Sequence, residues 1–271
     1  MKRKEILLKC LKAVILGLVL ALMYAPILLL AVYSFSSADT IGTGGEFSFT
    51  HYEKLFGDRD ILTMIGNTLL LALLSAVFST VIGTFGAIGI FYNRKRVRKL
   101  INGVSQIPVV NAEIVTALAL AITFVAVGIP KSYFTLLVGH MVISTPFVVL
   151  SVLPKLKQMD HNLYEAALDL GASPFKAIFT VVLPQILPAI ISGFMLAVTL
   201  SLDDYIVTSY LKPAGFDTIS TYVFNATMKG NAHTAETLSS FWALTTIIFV
   251  IILVVVISFN LVGRRKKEAK K

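Results

Sequence analysis

Residues 160–184 read DHNLYEAALDLGASPFKAIFTVVLP, and this partly polar stretch lies between segments that are almost wholly apolar. Asp160 can cap a helix of about three turns, and Gly171 is placed just past the C-terminus of that helix. Ser173 followed by Pro174 is typical of a new helix N-terminus. The pattern therefore predicts an elbow, in which two helices meet at a break. Neither half is long enough to cross a bilayer, which takes about 20 apolar residues.

The composition around the elbow is that of a membrane protein. Of the 271 residues, 56% are hydrophobic and only 14% are charged, whereas soluble domains carry about 25% charged residues. We therefore predict an all-α integral membrane protein with several spans. The net charge of +9 comes in short basic clusters between apolar segments, which is typical of topology signals and not of a nucleic-acid-binding face. The lone cysteine, Cys10, excludes an internal disulfide and a cysteine-based metal site.

Six apolar segments can be drawn along the chain. The first follows a basic start and is long enough to span, so we expect a retained helix and not a cleaved signal peptide. The second and fifth exceed the length of a perpendicular crossing and must tilt, kink or protrude. The six segments are 13–32, 63–92, 104–127, 133–153, 181–211 and 241–262.

The basic residues predict the orientation of these segments. Nineteen of the 24 lysine and arginine residues fall on the side that holds both termini and the elbow, and this side is cytoplasmic by the positive-inside rule. We expect six transmembrane helices with both termini in the cytoplasm. The predicted organisation is a first helix and outer loop (1–62), a core of five helices (63–262) that contains the elbow (159–184), and a basic tail (263–271).

Three acidic residues lie within the apolar segments: Glu113 in the third, and Asp203 and Asp204 in the fifth. Ionisable residues at membrane depth are costly and mark functional sites by default. No lysine or arginine lies inside any segment to neutralise them, so they imply a cationic ligand, protonation or a water-filled path. Neighbouring helical positions diverge by about 100°, and both aspartates cannot face one narrow site. A polar patch at the outer mouth, for the aspartates, and a packing contact, for Glu113, remain alternatives.

Other classical sites are missing from the sequence. No Walker A pattern occurs in the sequence, so no P-loop ATPase site is expected on this chain. The four histidines show no metal-ligand spacing, and we interpret each as a surface or packing residue. They are His51, His140, His161 and His233. No cofactor or metal is expected on this chain.

The spacing within the elbow resembles a known motif. Glu165-Ala166-Ala167 is followed after three residues by Gly171, and after nine more by Val181, with Leu183-Pro184 close behind. This pattern resembles the EAA loop of binding-protein-dependent ABC importer permeases, which have isoleucine where this chain has Val181. The segments 163–188 and 199–209 are similar to the spermidine/putrescine permeases of that family.

The resemblance implies a fold, partners and site residues. It implies a type I importer permease in the bacterial plasma membrane, which pairs with a PotB-like permease, two PotA-like ATPase subunits that carry Mg-ATP, and a PotD-like polyamine-binding protein outside. The elbow would enter a groove on an ATPase subunit through Glu165, Ala166, Ala167 and Gly171. Polyamines would suit a substrate path of Asp203, Asp204 and Glu113, with the aromatic face of Tyr205 beside them.

Alternatives remain open at this point. Related permeases carry iron, thiamine or phosphonates, although uncompensated acids favour a cation. An intramembrane aspartyl protease would need two carboxyl groups that converge to share a proton, which immediate neighbours on one helix do poorly. A passive channel would have no use for the elbow.

Overall fold

The computed structural model describes residues 2–160, 162–229, 238–251 and 254, and these residues are predominantly helical. No β-strand forms among them, although one isolated antiparallel bridge joins Ser36 and Phe47. The helices are α1 (Lys2–Tyr33), α2 (Thr50–Gly57), α3 (Arg59–Tyr92), α4 (Lys95–Ser105), α5 (Ile107–Val110), α6 (Glu113–Val127), α7 (Tyr133–Gln158), α8 (Asn162–Asp169), α9 (Pro174–Ala177), α10 (Leu183–Asp203), α11 (Ile206–Leu211), α12 (Ile219–Lys229) and α13 (Leu238–Ile251).

Some of the predicted features lie outside the described residues. These are His161, His233, the last part of the sixth apolar segment and the basic tail 263–271. The described chain forms two compact units, one of Met1–Leu62 with Asn225–Lys271 and one of Thr63–Phe224.

Four described helices are long and apolar enough to cross a bilayer: Leu11–Tyr33, Arg59–Tyr92, Tyr133–Gln158 and Pro174–Asp203. The third apolar segment is not a single helix. It is divided between the helical stretch Lys95–Val110, which begins before the predicted segment, and Glu113–Val127. The two stretches meet at a bend of 104° and would make a fifth span only as a broken pair. The fifth segment, which was too long for one crossing, ends its main helix at Asp203 and resumes as α11.

Helices α7 and α10 pack together along the core of the second unit. Their shared core includes Val148, Val152 and Leu156 from α7 and Ile186 from α10, all of them fully buried. Helix α3 approaches the same core closely, since a Cβ atom at Gly83 would lie only 2.7 Å from Val148 Cβ. The absence of a side chain at that glycine lets the two helices touch.

A second cluster in the same unit holds α11 in place. Leu71, Ala117, Leu136, Val207 and Leu211 are buried together and come from α3, α6, α7 and α11. A Cβ atom at Gly139 would collide with Leu211 and lie 2.8 Å from Val207 Cγ1. The short helix that follows the break is thus fixed against α6 and α7.

The first unit has its own aromatic contact. Trp242 packs edge-on against Tyr33 and His51, with ring centroids 5.9 and 5.3 Å away. His51 is fully buried, and its Nε2 is hydrogen-bonded to the Ala38 carbonyl at 3.1 Å. His51 is therefore a packing residue, as interpreted from the sequence.

Candidate substrate site and coupling elbow

The elbow forms where the sequence predicted it, with a backbone motif at its break. Helix α8 ends at Asp169, and Gly171 has a φ of +86°, a region that favours glycine. The Gly171 N–H donates to the Leu168 carbonyl at 2.9 Å, and the Ala172 N–H donates to the Ala167 carbonyl at 3.0 Å. These two bonds make a Schellman motif, which satisfies carbonyls at the helix end. With eight residues, α8 is shorter than the predicted three turns.

A new helix starts directly after this break. Pro174 occupies its first turn, and the Lys176 N–H donates to the Ser173 side chain at 3.4 Å. A π-helical turn, Ile178–Val182, joins α9 to α10, so that the helical run Pro174–Asp203 covers 30 residues. The elbow is therefore one end of a helix that is about 45 Å long.

The elbow has one face held to the protein and one face open. Tyr164 packs against Tyr92 with ring centroids 4.8 Å apart and against the core of the second unit. Glu165 and Ala166 are exposed and Ala167 is half-buried. Leu170 is 89% exposed. The residues matching the EAA motif thus lie at or near the free surface of the elbow.

At the other end of the same helix, two adjacent aspartates have different environments. Asp203 is exposed, whereas Asp204 is buried. The Asp204 carboxylate accepts hydrogen bonds from the N–H groups of Val207 and Thr208 at 3.0 and 2.9 Å, and from the Thr208 hydroxyl at 2.8 Å. It therefore caps the first turn of α11, and only Asp203 is left free to face outward.

The third predicted acid comes to the same place from a different segment. Glu113 is the first residue of α6, directly after the break in the third apolar segment. Its carboxyl group is close enough to those of Asp204 and Asp203 to interact with both electrostatically. Carboxylates that lie this close together repel each other, and a proton or a bound cation would relieve the repulsion. The three acids singled out in the sequence thus form one group, which we call the acidic break.

His140 belongs to the network around the acidic break, and of the two roles expected from the sequence the structure supports packing and not surface exposure. Its side chain is buried on α7. The Nδ1 atom is 2.7 Å from Ser201 Oγ, and Nε2 is 3.0 Å from Thr208 Oγ1 and 3.3 Å from Asp204 Oδ2. The sequence contained an indication of these polar contacts, because His140 is an ionisable residue within the fourth apolar segment.

Tyr205 follows the two aspartates and is half-exposed. Its ring stacks on Phe224, with centroids 3.9 Å apart and planes 22° from parallel. One aromatic face is therefore occupied by Phe224. Among the described residues, no group of three histidine, cysteine, aspartate or glutamate side chains is arranged to hold a metal ion.

Comparison with known proteins adds the family context. Residues 79–268 match the family described as "Binding-protein-dependent transport system inner membrane component". The chain is 32% identical over 248 residues to the spermidine/putrescine transport system permease protein PotC of Escherichia coli (strain K12), covering 92% of each protein. It is 33% identical over 226 residues to the putrescine transport system permease protein PotI of the same strain, covering 81% of this chain and 80% of PotI.

A solved structure supports the fold. The chain superposes with a TM-score of 0.75 on a subunit of a bacterial ABC transporter involved in the import of the acidic polysaccharide alginate. The match covers 94% of this chain and 97% of the other at 19% sequence identity, so it concerns the fold and not the substrate.

Proposed function

We propose, given that this chain belongs to the family of binding-protein-dependent transport system inner membrane components, that it forms half of the membrane pathway for polyamines. It is a permease of an ABC importer, a transport subunit and not an enzyme. The names of its relatives PotC and PotI, which concern spermidine and putrescine, support this class of substrate.

The observation that carries the proposal is the convergence of Glu113, Asp203 and Asp204 at two helix breaks. Among the described residues, no lysine or arginine forms an ion pair with any of the three. The C-terminus of α10 adds the partial negative charge of a helix end beside Asp203. A transporter site between broken helices, with excess negative charge, suits an ammonium group.

Polyamines match this site better than an anionic solute such as a phosphonate does. Putrescine carries two ammonium groups and spermidine three amines. Each protonated amine can form an ion pair with one of the acids. The ring face of Tyr205 that does not stack on Phe224 could make a cation–π contact beside the aspartates. A phosphonate would be repelled by the three acids. An aspartyl protease would need the carboxyl groups of both Asp203 and Asp204 free to react, whereas the carboxyl group of Asp204 is hydrogen-bonded to the first turn of α11.

The number of spans and their orientation are proposed as follows. We propose six spans with both termini and the elbow in the cytoplasm, supported by the four described spanning helices, the broken pair and the distribution of lysine and arginine. The division into 1–62, the core 63–262 and the tail 263–271 is proposed on the same basis.

The elbow is proposed to couple this chain to an ATPase. Its exposed Glu165 and Ala166 offer one charge and a small side chain to a closing groove, and the Gly171 break separates the coupling helix from the long run Pro174–Asp203. The partners proposed are a second, PotB-like permease, two PotA-like ATPase subunits and a PotD-like binding protein. The family description, which names transport that depends on a binding protein, supports the last of these.

A competition assay tests the substrate class. Cells that express the chain with its transport partners would take up radiolabelled putrescine in the presence of unlabelled putrescine, spermidine, thiamine, ferric iron or a phosphonate. We expect competition by the two polyamines alone. No uptake of putrescine above that of cells without the chain, or competition by thiamine, iron or phosphonate as strong as that by spermidine, would contradict the proposal.

A further inference from the structure

Helix α4, Lys95–Ser105, has two chemically distinct faces. Val97, Leu100, Ile101 and Val104 recur at helical spacing along one side, and they are 39%, 68%, 40% and 56% exposed. The other side, with the residue before the helix, carries five cations: Arg94, Lys95, Arg96, Arg98 and Lys99. An apolar stripe backed by lysine and arginine is typical of helices that lie in a membrane interface.

These five cations have no acidic partner in the part of the chain that the structure describes. Four of them are exposed and Arg98 is half-buried. Their charge is therefore available to an anion outside the protein. Because they follow directly on α3 and stand on the side with the greater share of lysine and arginine, we expect them to lie at the cytoplasmic membrane surface.

An apolar groove continues from the exposed stripe of α4. It has a volume of about 380 Å³ and runs between α3, α5 and α7. Its polar side chains are Ser105 and Thr145, and the Thr145 hydroxyl donates to the Met141 carbonyl at 2.7 Å. The apolar lining residues include Ile82, Val104, Pro108, Met141, Val142 and Val149.

We propose that α4 and this groove bind one anionic phospholipid. The phosphate headgroup lies among the cations of residues 94–99, and an acyl chain enters the groove beside Met141 and Val142. Charge complementarity favours an anionic lipid, because a neutral lipid or an apolar protein helix would provide no anion to pair with the five cations. A soluble anion would leave the apolar stripe and the groove exposed. The site stands next to the bend before Glu113, so a bound lipid would hold the first half of the broken segment in place.

Photo-crosslinking in vesicles tests the proposal. The full-length chain, purified with its transport partners, would be reconstituted in phosphatidylcholine that contains a trace of phosphatidylglycerol with a photoreactive acyl chain. We expect labelled peptides from α7 around Met141 and Val142. Unlabelled phosphatidylglycerol should compete at least tenfold better than unlabelled phosphatidylcholine.

Two variants separate the headgroup from the acyl chain. Replacing Lys95, Arg96 and Lys99 together by glutamine should lower labelling, by about fivefold for each cation where screening is weak. The matched control replaces Arg264, Arg265 and Lys266 of the tail by glutamine and should leave labelling of α7 unchanged. Val142→Trp, which fills the groove, should abolish labelling of α7 although the cations remain.

The same assay can overturn the proposal. Equal competition by the two unlabelled lipids would show that charge plays no part. No labelling of α7 in the wild-type complex would contradict the proposal, because the acyl chain would then not lie in the groove. Because both results are read on the wild-type complex, a variant that fails to assemble does not weaken the test.

Discussion

At one end of the 30-residue run Pro174–Asp203 the elbow is shaped by backbone hydrogen bonds, and at the other end the acidic break is shaped by side chains. The Gly171 and Ala172 N–H groups close the end of α8, and Glu165 and Ala166 remain exposed. At the acidic break, the side chain of Asp204 itself caps α11.

This difference separates structural from functional roles. A backbone motif leaves the side chains of the elbow free to meet another protein. At the acidic break, Asp204 holds the first turn of α11, whereas its neighbour Asp203 is exposed and is the aspartate that we propose to meet a ligand. Substitutions at the two ends of the helix should therefore have different effects on stability and on transport.

The largest effect is expected from Asp204→Ala. This change leaves the buried N–H groups of Val207 and Thr208 without their acceptor, and it should lower the free energy of unfolding by about 2–3 kcal/mol. Thermal denaturation of the purified complex in detergent would measure the loss as a lower Tm. Uptake of putrescine should be lost with it.

The neighbouring Asp203→Ala is the matched control. Because Asp203 is exposed, its replacement should leave the Tm unchanged within error while uptake still falls. An equal fall of the Tm in both variants would contradict the division of roles between the two aspartates.

Gly171→Ala should have the next largest effect, at the elbow. An alanine at a φ of +86° costs about 1 kcal/mol of local strain, which should shift the end of α8 and uncouple ATP hydrolysis from uptake. The measurement is the number of ATP molecules hydrolysed per putrescine transported, and it should rise.

Gly89→Ala tests whether the backbone conformation is the cause. A Cβ atom at either glycine would meet nothing within 4 Å, but only Gly171 of the two has a positive φ. The Gly89 variant should therefore transport normally. If the Gly171 variant hydrolyses as many ATP molecules per putrescine transported as the wild type does, the proposed coupling role of the elbow is contradicted.

His140→Gln should have the smallest effect of the series. The change removes part of the hydrogen bonding to Ser201, Thr208 and Asp204 and should cost about 1 kcal/mol. Because His140 contacts Asp204 and is buried, we expect it to act on the proposed site only through Asp204, so that KM for putrescine rises a few-fold at unchanged maximal rate.

His51→Gln provides a buried histidine in the other unit for comparison. It should lower the Tm to a similar extent and leave KM unchanged. If both variants change KM equally, His140 acts through general stability and not through Asp204.

The elbow could be predicted because its signals are local. Glycine past a helix end and a serine–proline pair at a helix start act within a few residues of the chain, and the structure has both. The second and fourth apolar segments likewise lie within single helices, α3 and α7, whereas the third is broken by a bend of 104°. The length of α8 was overestimated, since apolar spacing does not fix where a helix begins.

The acidic break could be predicted only as a list of residues. That Glu113 meets Asp204 depends on the bend at Asn111–Ala112 and on the packing of α11 against α6, which are tertiary effects without a local signal. His140 was missed for a different reason. It was judged by metal-ligand spacing, whereas its burial within an apolar segment was the informative property.

The most direct test of the account is putrescine uptake by the double variant Asp203→Asn, Glu113→Gln, with Glu53→Gln as a control at an exposed acid in the other unit. Both substitutions of the double variant keep the size of the side chain and remove its charge. We predict that the double variant assembles, keeps its Tm and loses uptake at least tenfold, while the control transports normally. Unchanged uptake by the double variant would contradict the conclusion that these acids bind the transported cation.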